Sequence, residues 1–265
     1  DYLDERFRMI ETPNVNSGWG ALNSTSDTIV YCVAEGIDLF MRGIIVSNDL
    51  GKNFRKVVIF DKNGNDISDS NQHMKVFADR VDPDVFYGFG DDFSLYISMD
   101  RGNHFEVLPT EGFPQNKTVF GLIDCANKTE IRGEAGKAGV FYLSAYENGL
   151  WKLTVDLEQK CARAVRLTKE GENVFAMGLG LLCPDSDYLS DHKAIYISGE
   201  IEGTYGFFRS VDDGKSWVKI NNISQNFGDI NSIDGDCRSF GRFYIATGSF
   251  GLKYGEIAEE ETCNT

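Results

Sequence analysis

A chain of 265 residues with 42% hydrophobic and 12% aromatic residues can bury a sizeable core, and 41 acidic against 26 basic side chains leave a formal charge of −15 and a pI near 4.6. Such a field opposes phosphate backbones, so nucleic acid is excluded as a partner, while basic proteins, cations or neutral sugars are favoured. No run approaches the roughly 18 apolar residues of a membrane span, and Asp1 to Arg8 is polar, so neither a span nor a signal peptide is expected.

Phe7-Arg-Met-Ile10 reads as a short strand standing alone. Residues 19–60 hold a first unit: strands at Thr28–Cys32 and Gly43–Val46, then the turn Ser47-Asn-Asp49-Leu-Gly51-Lys-Asn-Phe54. In residues 71–110 the order returns, with an apolar run at Met74–Phe77, strands at Val85–Tyr87 and Ser94–Ile97, and the turn Ser98-Met-Asp100-Arg-Gly102-Asn-His-Phe105. Residues 117–168 repeat it with Thr118–Leu122, Val140–Tyr142 and Gly149–Lys152, but Thr154-Val-Asp156-Leu-Glu-Gln-Lys-Cys161 lacks the glycine. The fourth unit, 173–220, has Asn173–Met177, Ala194–Ile197 and Gly206–Arg209 before Ser210-Val-Asp212-Asp-Gly214-Lys-Ser-Trp217. The fifth, 227–257, has Asp229–Ile233, Arg242–Ile245 and Gly251–Tyr254 with no outer strand, and 258–265 is a tail.

Four strands recurring about every 50 residues describe propeller blades. The predicted fold is a single all-β domain, a five-bladed β-propeller of four-stranded antiparallel blades. The strand near Phe7 has the form of the outer strands, so residues 4–12 are expected to close the last blade and remove its open edge. The rival reading, one end of a larger propeller, stays open.

The pattern Ser-x-Asp-x-Gly-x-x-(Phe/Trp) is the Asp box. Asp49, Asp100 and Asp212 are expected to accept backbone N–H groups in their turns, with Gly51, Gly102 and Gly214 at positive φ, which is a structural task. Strands alternate direction, so the loops between the second and third strands share the opposite face. They carry Asp38, Phe40 and Arg42, then Asp91, Asp92 and Phe93, then Tyr146 and Glu147, then Glu202 and Tyr205, and last Phe250. Aromatics beside acids suit sugar stacking or a protein contact with aromatic anchors and a charged rim. Aromatics tucked between blades with solvated acids remain the alternative.

The loop Asp61–Asp69 alternates oxygen ligands like a calcium loop, but Asp66 stands at the glycine position and Gln72 at that of the closing glutamate, so a polar hairpin-like connection is expected. His73, His104 and His192 are scattered, and no metal site is predicted. Six cysteines without a C-x-x-C pair, and sequons at Asn23, Asn116, Asn127 and Asn222, favour a secreted, disulfide-bonded glycoprotein. Cys125–Cys161 is the preferred bridge, pinning the degenerate third blade, among the pairings that six cysteines allow.

Gly206–Asn221, Phe227–Asp236 and Gly241–Gly248 together give a box, an asparagine-led loop and a Gly-Arg-x-Tyr strand. In this order they resemble the C-terminal propeller of the xyloglucanases, family 74 of the glycoside hydrolases. Elsewhere the resemblance is to the generic Asp-box repeat, shared with sialidases and sortilin-type receptors. It implies a substrate cleft between two propellers, each contributing one catalytic aspartate. This chain has residues for one propeller. After Gly18-Trp-Gly-Ala-Leu22, the family's Ile-Asp-Pro is replaced by Asn23-Ser24-Thr25. Glycoside hydrolysis ordinarily needs two carboxyl groups across the bond, so the chain is expected not to be an enzyme and to use no cofactor. The resemblance points to a non-catalytic extracellular binding module of a plant-cell-wall-degrading system. There it would dock a dockerin-like protein with basic residues, as a cohesin does in a cellulosome. The alternative is a xyloglucan- or β-glucan-active hydrolase or a glucan-binding domain.

Overall fold

A computed structural model describes residues 15–36, 43–68, 74–90, 94–113, 129–182 and 193–257. Among them there is no α-helix, and one turn of 3-10 helix, Ile223–Gln225, is capped by Asn222. The strands form five sheets, met one after another along the chain.

The first sheet contains β1 (Val15–Leu22), β2 (Ile29–Gly36), β3 (Gly43–Ser47) and β4 (Arg55–Lys56) in that order. The chain then crosses. β5 (Val58–Phe60) runs parallel to the outer strand of the second sheet, whose order is β5, β9 (His104–Val107), β8 (Leu95–Ser98), β7 (Phe86–Gly90), β6 (Met74–Ala78). The third sheet repeats the device with β10 (Thr110–Glu111) outside β14 (Cys161–Arg166), followed inward by β13 (Leu150–Asp156), β12 (Val140–Ser144) and β11 (Glu130–Gly133). The fourth contains β15 (Asn173–Gly180), β16 (Ala194–Ile201), β17 (Thr204–Ser210) and β18 (Val218–Lys219), and the fifth β19 (Ile230–Gly235), β20 (Phe243–Thr247) and β21 (Leu252–Gly255).

Uniform four-stranded blades are therefore corrected to described sheets of four, five, five, four and three strands. The cause is visible at Val57 and Val58, where consecutive N–H groups serve different sheets: Val57 donates to Ile44 O at 2.9 Å and Val58 to Asn103 O at 3.3 Å. Leu108 likewise donates to Leu95 O at 2.7 Å, while the carbonyl of Pro109 accepts from Ala162 at 2.8 Å. A second correction concerns the third sheet. The strand beside β12 is Glu130–Gly133, with Glu130 opposite Ser144, whereas Thr118–Leu122 lies outside the described residues. Glu130 is buried in spite of its charge because its Oε2 accepts the Met177 N–H at 2.9 Å and lies 3.6 Å from Arg132 Nη2.

Apolar clusters join each sheet to the next. Val30 and Ile44 pack with Met74, Phe86 and Phe105, joining the first sheet to the second. Phe77, Tyr87 and Phe141 form an aromatic joint between the second and third, with ring centroids 4.8–5.0 Å apart. Tyr142 with Val174 and Phe208, and Tyr196 with Phe243, continue the series. Among the described residues no such cluster joins the fifth sheet to the first, and on β21 Leu252 and Tyr254 are 71% and 69% exposed. The inner strands of all five sheets nevertheless surround one cavity of about 1040 Å³.

Candidate functional site

The three Ser-x-Asp-x-Gly turns close in one way. Ser47, Ser98 and Ser210 donate from Oγ to the Oδ1 of Asp49, Asp100 and Asp212 at 2.7, 2.9 and 2.8 Å. The same hydroxyls accept the N–H of Gly51, Gly102 and Gly214 at 2.8, 2.9 and 2.9 Å. Each Oδ1 also takes a later backbone N–H, from Asn53, His104 and Ser216 at 3.0, 3.0 and 2.9 Å. Gly51, Gly102 and Gly214 lie at φ of 77°, 77° and 81°, the left-handed region that glycine enters without steric cost. Hydrogen bonds from the Asn53 side chain and backbone, then from Ser47, hold the Asp49 carboxyl down at about 2. At Asp212 burial acts upward, but the Ser216 and Ser210 hydrogen bonds prevail and the carboxyl lies below its ordinary value. Such acceptors are engaged by the turn and are poor proton donors. In the third sheet, Asp156 Oδ1 still takes the N–H groups of Glu158 and Gln159 at 3.0 and 2.9 Å, with Lys160 at φ 51°.

On the opposite face, the loop between β12 and β13 and the turn between β16 and β17 come together over the start of β15. Glu202-Gly203 is a two-residue hairpin turn with both φ positive, 51° and 72°, closed by the pair Ile201 and Thr204. Tyr146 also has a positive φ, 53°, held because its carbonyl accepts from Val174 at 2.9 Å and from Gly149 at 3.0 Å. Between the two loops stands Phe175. The pairing of β15 with β16 shifts register between Val174 and Ala176, so Phe175 is the extra residue of a bulge. Bulges re-aim side chains, and this one places Phe175 4.9 Å from the Tyr146 ring and 6.0 Å from that of Tyr205. The Tyr205 hydroxyl donates to Gly228 O at 3.3 Å. The result is a strip of three half-buried rings.

Polar groups flank the strip. Lys169 Nζ bonds Glu202 Oε1 at 2.6 Å and holds that carboxyl below its ordinary value, and Glu172 receives the N–H groups of Lys169 and Glu202 at 2.6 and 3.2 Å. Arg166 lies over Trp151, 5.9 Å from its ring, and its Nε and Nη2, like Glu147 Oε1, are buried atoms without a hydrogen-bond partner.

Of the residues predicted for this face, Tyr146, Glu147, Glu202 and Tyr205 are thus gathered around Phe175. Phe250 is 62% exposed and, among the described residues, has no ring contact with the strip. Asp38, Phe40, Arg42, Asp91, Asp92 and Phe93 lie outside the described residues. Sequence reasoning missed Phe175, Lys169 and Arg166. Phe175 sits in a run legible as an inner strand, and the register shift that exposes it leaves no mark on the periodicity.

Cys161 is a half-exposed free thiol and Cys125 lies outside the described residues. The Asn23 sequon is corrected. Its side chain is 3% exposed and donates to Thr25 Oγ1, Asp27 Oδ1 and Pro83 O while accepting from Asp27 and Thr28, so no amide proton is available for a glycan. Asn222 is exposed, and Asn116 and Asn127 lie outside the described residues. Asp61 uses its carboxylate on the N–H groups of Asn63 and Asn65 at 2.8 and 2.9 Å, making the 61–66 segment a self-bonded polar turn.

No protein-family model matches the chain. It is 36% identical over 191 residues to xyloglucanase Xgh74A of Acetivibrio thermocellus, a match covering 72% of this chain and 20% of that protein. Among solved structures it is similar to the GH74 xyloglucanase of Xanthomonas campestris, with a TM-score of 0.56 at 21% identity over 95% of this chain and 39% of that one. The Dos1 propeller is similar at a TM-score of 0.54 and 11% identity, covering 92% and 60%. The fold is therefore all-β and propeller-like, and the chain spans about a fifth of the length of the curated xyloglucanases it matches.

Proposed function

We propose that this chain is a non-catalytic, extracellular carbohydrate-binding propeller of a plant polysaccharide-degrading system, holding a β-glucan such as xyloglucan against the strip Tyr146, Phe175 and Tyr205. The strip carries the proposal: the Phe175 ring, pushed out by a bulge, stands 4.9 Å from that of Tyr146 on a loop and 6.0 Å from that of Tyr205 at the start of β17. Sugar rings present apolar faces to aromatics and hydroxyls to their surroundings. The similarity to xyloglucanases favours a β-glucan over other glycans.

The site supports binding more than hydrolysis. Of the carboxylates beside the strip, Glu202 is tied to Lys169 and held below its ordinary value, opposite to the shift a general acid needs. A second reading, docking of a protein with basic residues in the manner of a cohesin, is favoured by the acids Glu147 and Glu202 at the rim and by the net charge of −15. Five blades closed by residues 4–12 remain the fold we favour, because the fifth sheet keeps an apolar open edge and all five inner strands face one cavity.

Affinity electrophoresis in xyloglucan tests the main reading. Wild type should be retarded, Phe175→Ala and Tyr205→Ala should each lose about tenfold in affinity, and Phe250→Ala should behave as wild type. Free migration of the wild type would overturn glucan binding. Retention instead of a basic secreted protein, weakening as salt rises, would move the function to docking.

A further inference from the structure

The cavity inside the five sheets has a charge opposite in sign to that of the molecule. In a chain with a net charge of −15, its wall carries four cationic side chains, Lys75, Arg80, Arg132 and Lys193, against the carboxylates of Asp79 and Asp234. Both carboxylates are engaged by the fold. Asp79 accepts from the N–H groups of Val81, Asp82 and Gly139 at 2.8, 2.9 and 2.7 Å and from the Tyr87 hydroxyl at 3.1 Å. Asp234 Oδ1 accepts from Leu179 and Gly235 at 3.0 and 3.1 Å.

The cations are set up differently. Arg132 lines the cavity, donates to Ile131 O at 3.2 Å and Ser232 Oγ at 3.4 Å, and lies 3.6 Å from Glu130 Oε2, contacts that fix the plane of its fork, whose five N–H groups outnumber these partners. Arg80 runs along the wall over Gly133, where a Cβ would come within 2.5 Å of its Cγ, so the glycine permits that side chain to lie flat. Lys75 Nζ donates to Thr129 O from the same wall. Burial, with Arg132 acting the same way against Glu130, pulls the Lys75 ammonium down to about 8. Burial keeps the Glu130 and Asp234 carboxyls above their ordinary values, with Arg132 acting the other way on both. Four cationic side chains against two wall carboxylates in one recess favour an anion, and the planar fork of arginine matches an oxyanion with two parallel hydrogen bonds.

We propose that the central cavity is a binding site for a small multivalent oxyanion, phosphate-like or polycarboxylate, held by Arg132 and Arg80 with Lys75 and Lys193 supplying charge. The site is independent of the aromatic strip on the loop face. Inorganic phosphate and citrate, each titrated calorimetrically into the full chain against sodium chloride at matched ionic strength, are the probes. At least one should bind saturably at one site. Arg80→Gln, which changes an exposed side chain, should keep the melting temperature and lose about tenfold in affinity. Since Arg132→Gln also removes a partner of Glu130 and could fail to fold, a second readout uses the wild type: the Lys75 ammonium, followed by NMR, should titrate near 8 in chloride and move upward when the anion saturates. Stronger binding of phosphate or of citrate identifies the preferred geometry. Heats equal to those of chloride with both probes, unchanged binding by Arg80→Gln, or an unmoved Lys75 titration at saturation would overturn the site.

Discussion

Asp49 accepts four hydrogen bonds from within its own turn, from the Ser47 hydroxyl, the N–H groups of Lys52 and Asn53, and the Asn53 side chain. All favour the carboxylate over the acid, and the Asn53 bonds lead in holding the group at about 2 against an ordinary 3.8. A carboxyl lowered on folding stabilises the native state above its ordinary value, and that stabilisation is lost as pH falls from about 4 toward 2. Carboxyl NMR should place the Asp49 midpoint near 2; a midpoint at the ordinary value would mean that the turn is not closed by these bonds. Asp212→Ala goes further, since it strands the buried Ser210 hydroxyl, and it should cost about 1–3 kcal/mol in chemical denaturation. These turns were legible because every partner lies within four residues. Asn23 was misread because Asn-Ser-Thr also spells a glycan acceptor, whereas its side chain is taken up by Thr25, Asp27 and Thr28 and, across to the second sheet's loop, by Pro83 O.

Among the elements, the straps that leave one sheet and finish on the next carry more than their two or three residues indicate. Val57 bonds the first sheet, Val58 the second, and Ile59 is buried in the cluster that joins them. Ile59→Ala should therefore cost about 2–5 kcal/mol, and the exposed neighbour Lys56→Ala well under 1 kcal/mol; equal effects would show that the strap packs no joint. Sequence periodicity found the body of most strands, because β-branched and aromatic runs such as Ala194–Ile197 announce themselves. It failed where burial rests on a specific partner. Glu130–Gly133 is polar, and its place in the sheet depends on Met177 and Arg132, whereas Phe175 leaves its expected face because of a register shift against β16. The candidate site was accordingly half legible: its loops could be read from turn residues and aromatics, its central ring could not.

For the molecule as a whole, the repeat predicted five consecutive units, and five sheets follow one another with apolar joints between each and the next. The joint that would complete a ring cannot be built from β21 alone, whose Leu252 and Tyr254 face solvent and whose outer backbone groups have no strand beside them among the described residues. An open apolar edge invites association with other chains, and a strand from the same chain removes that hazard without adding an interface. Phe7-Arg-Met-Ile10 has the alternation and length for that strand. Deleting residues 1–12 should then lower the melting temperature by several degrees, since closure removes a free end from every neighbour in the ring. Hydrogen exchange should quicken first in β19–β21, because a sheet held on one side opens below the global unfolding energy. Deleting residues 258–265 serves as the control and should leave both unchanged. An unaltered melting temperature after the N-terminal deletion, with β19–β21 exchanging as in the full chain, would mean that the fifth sheet is stable as an open edge and that the ring is closed by something other than its first strand.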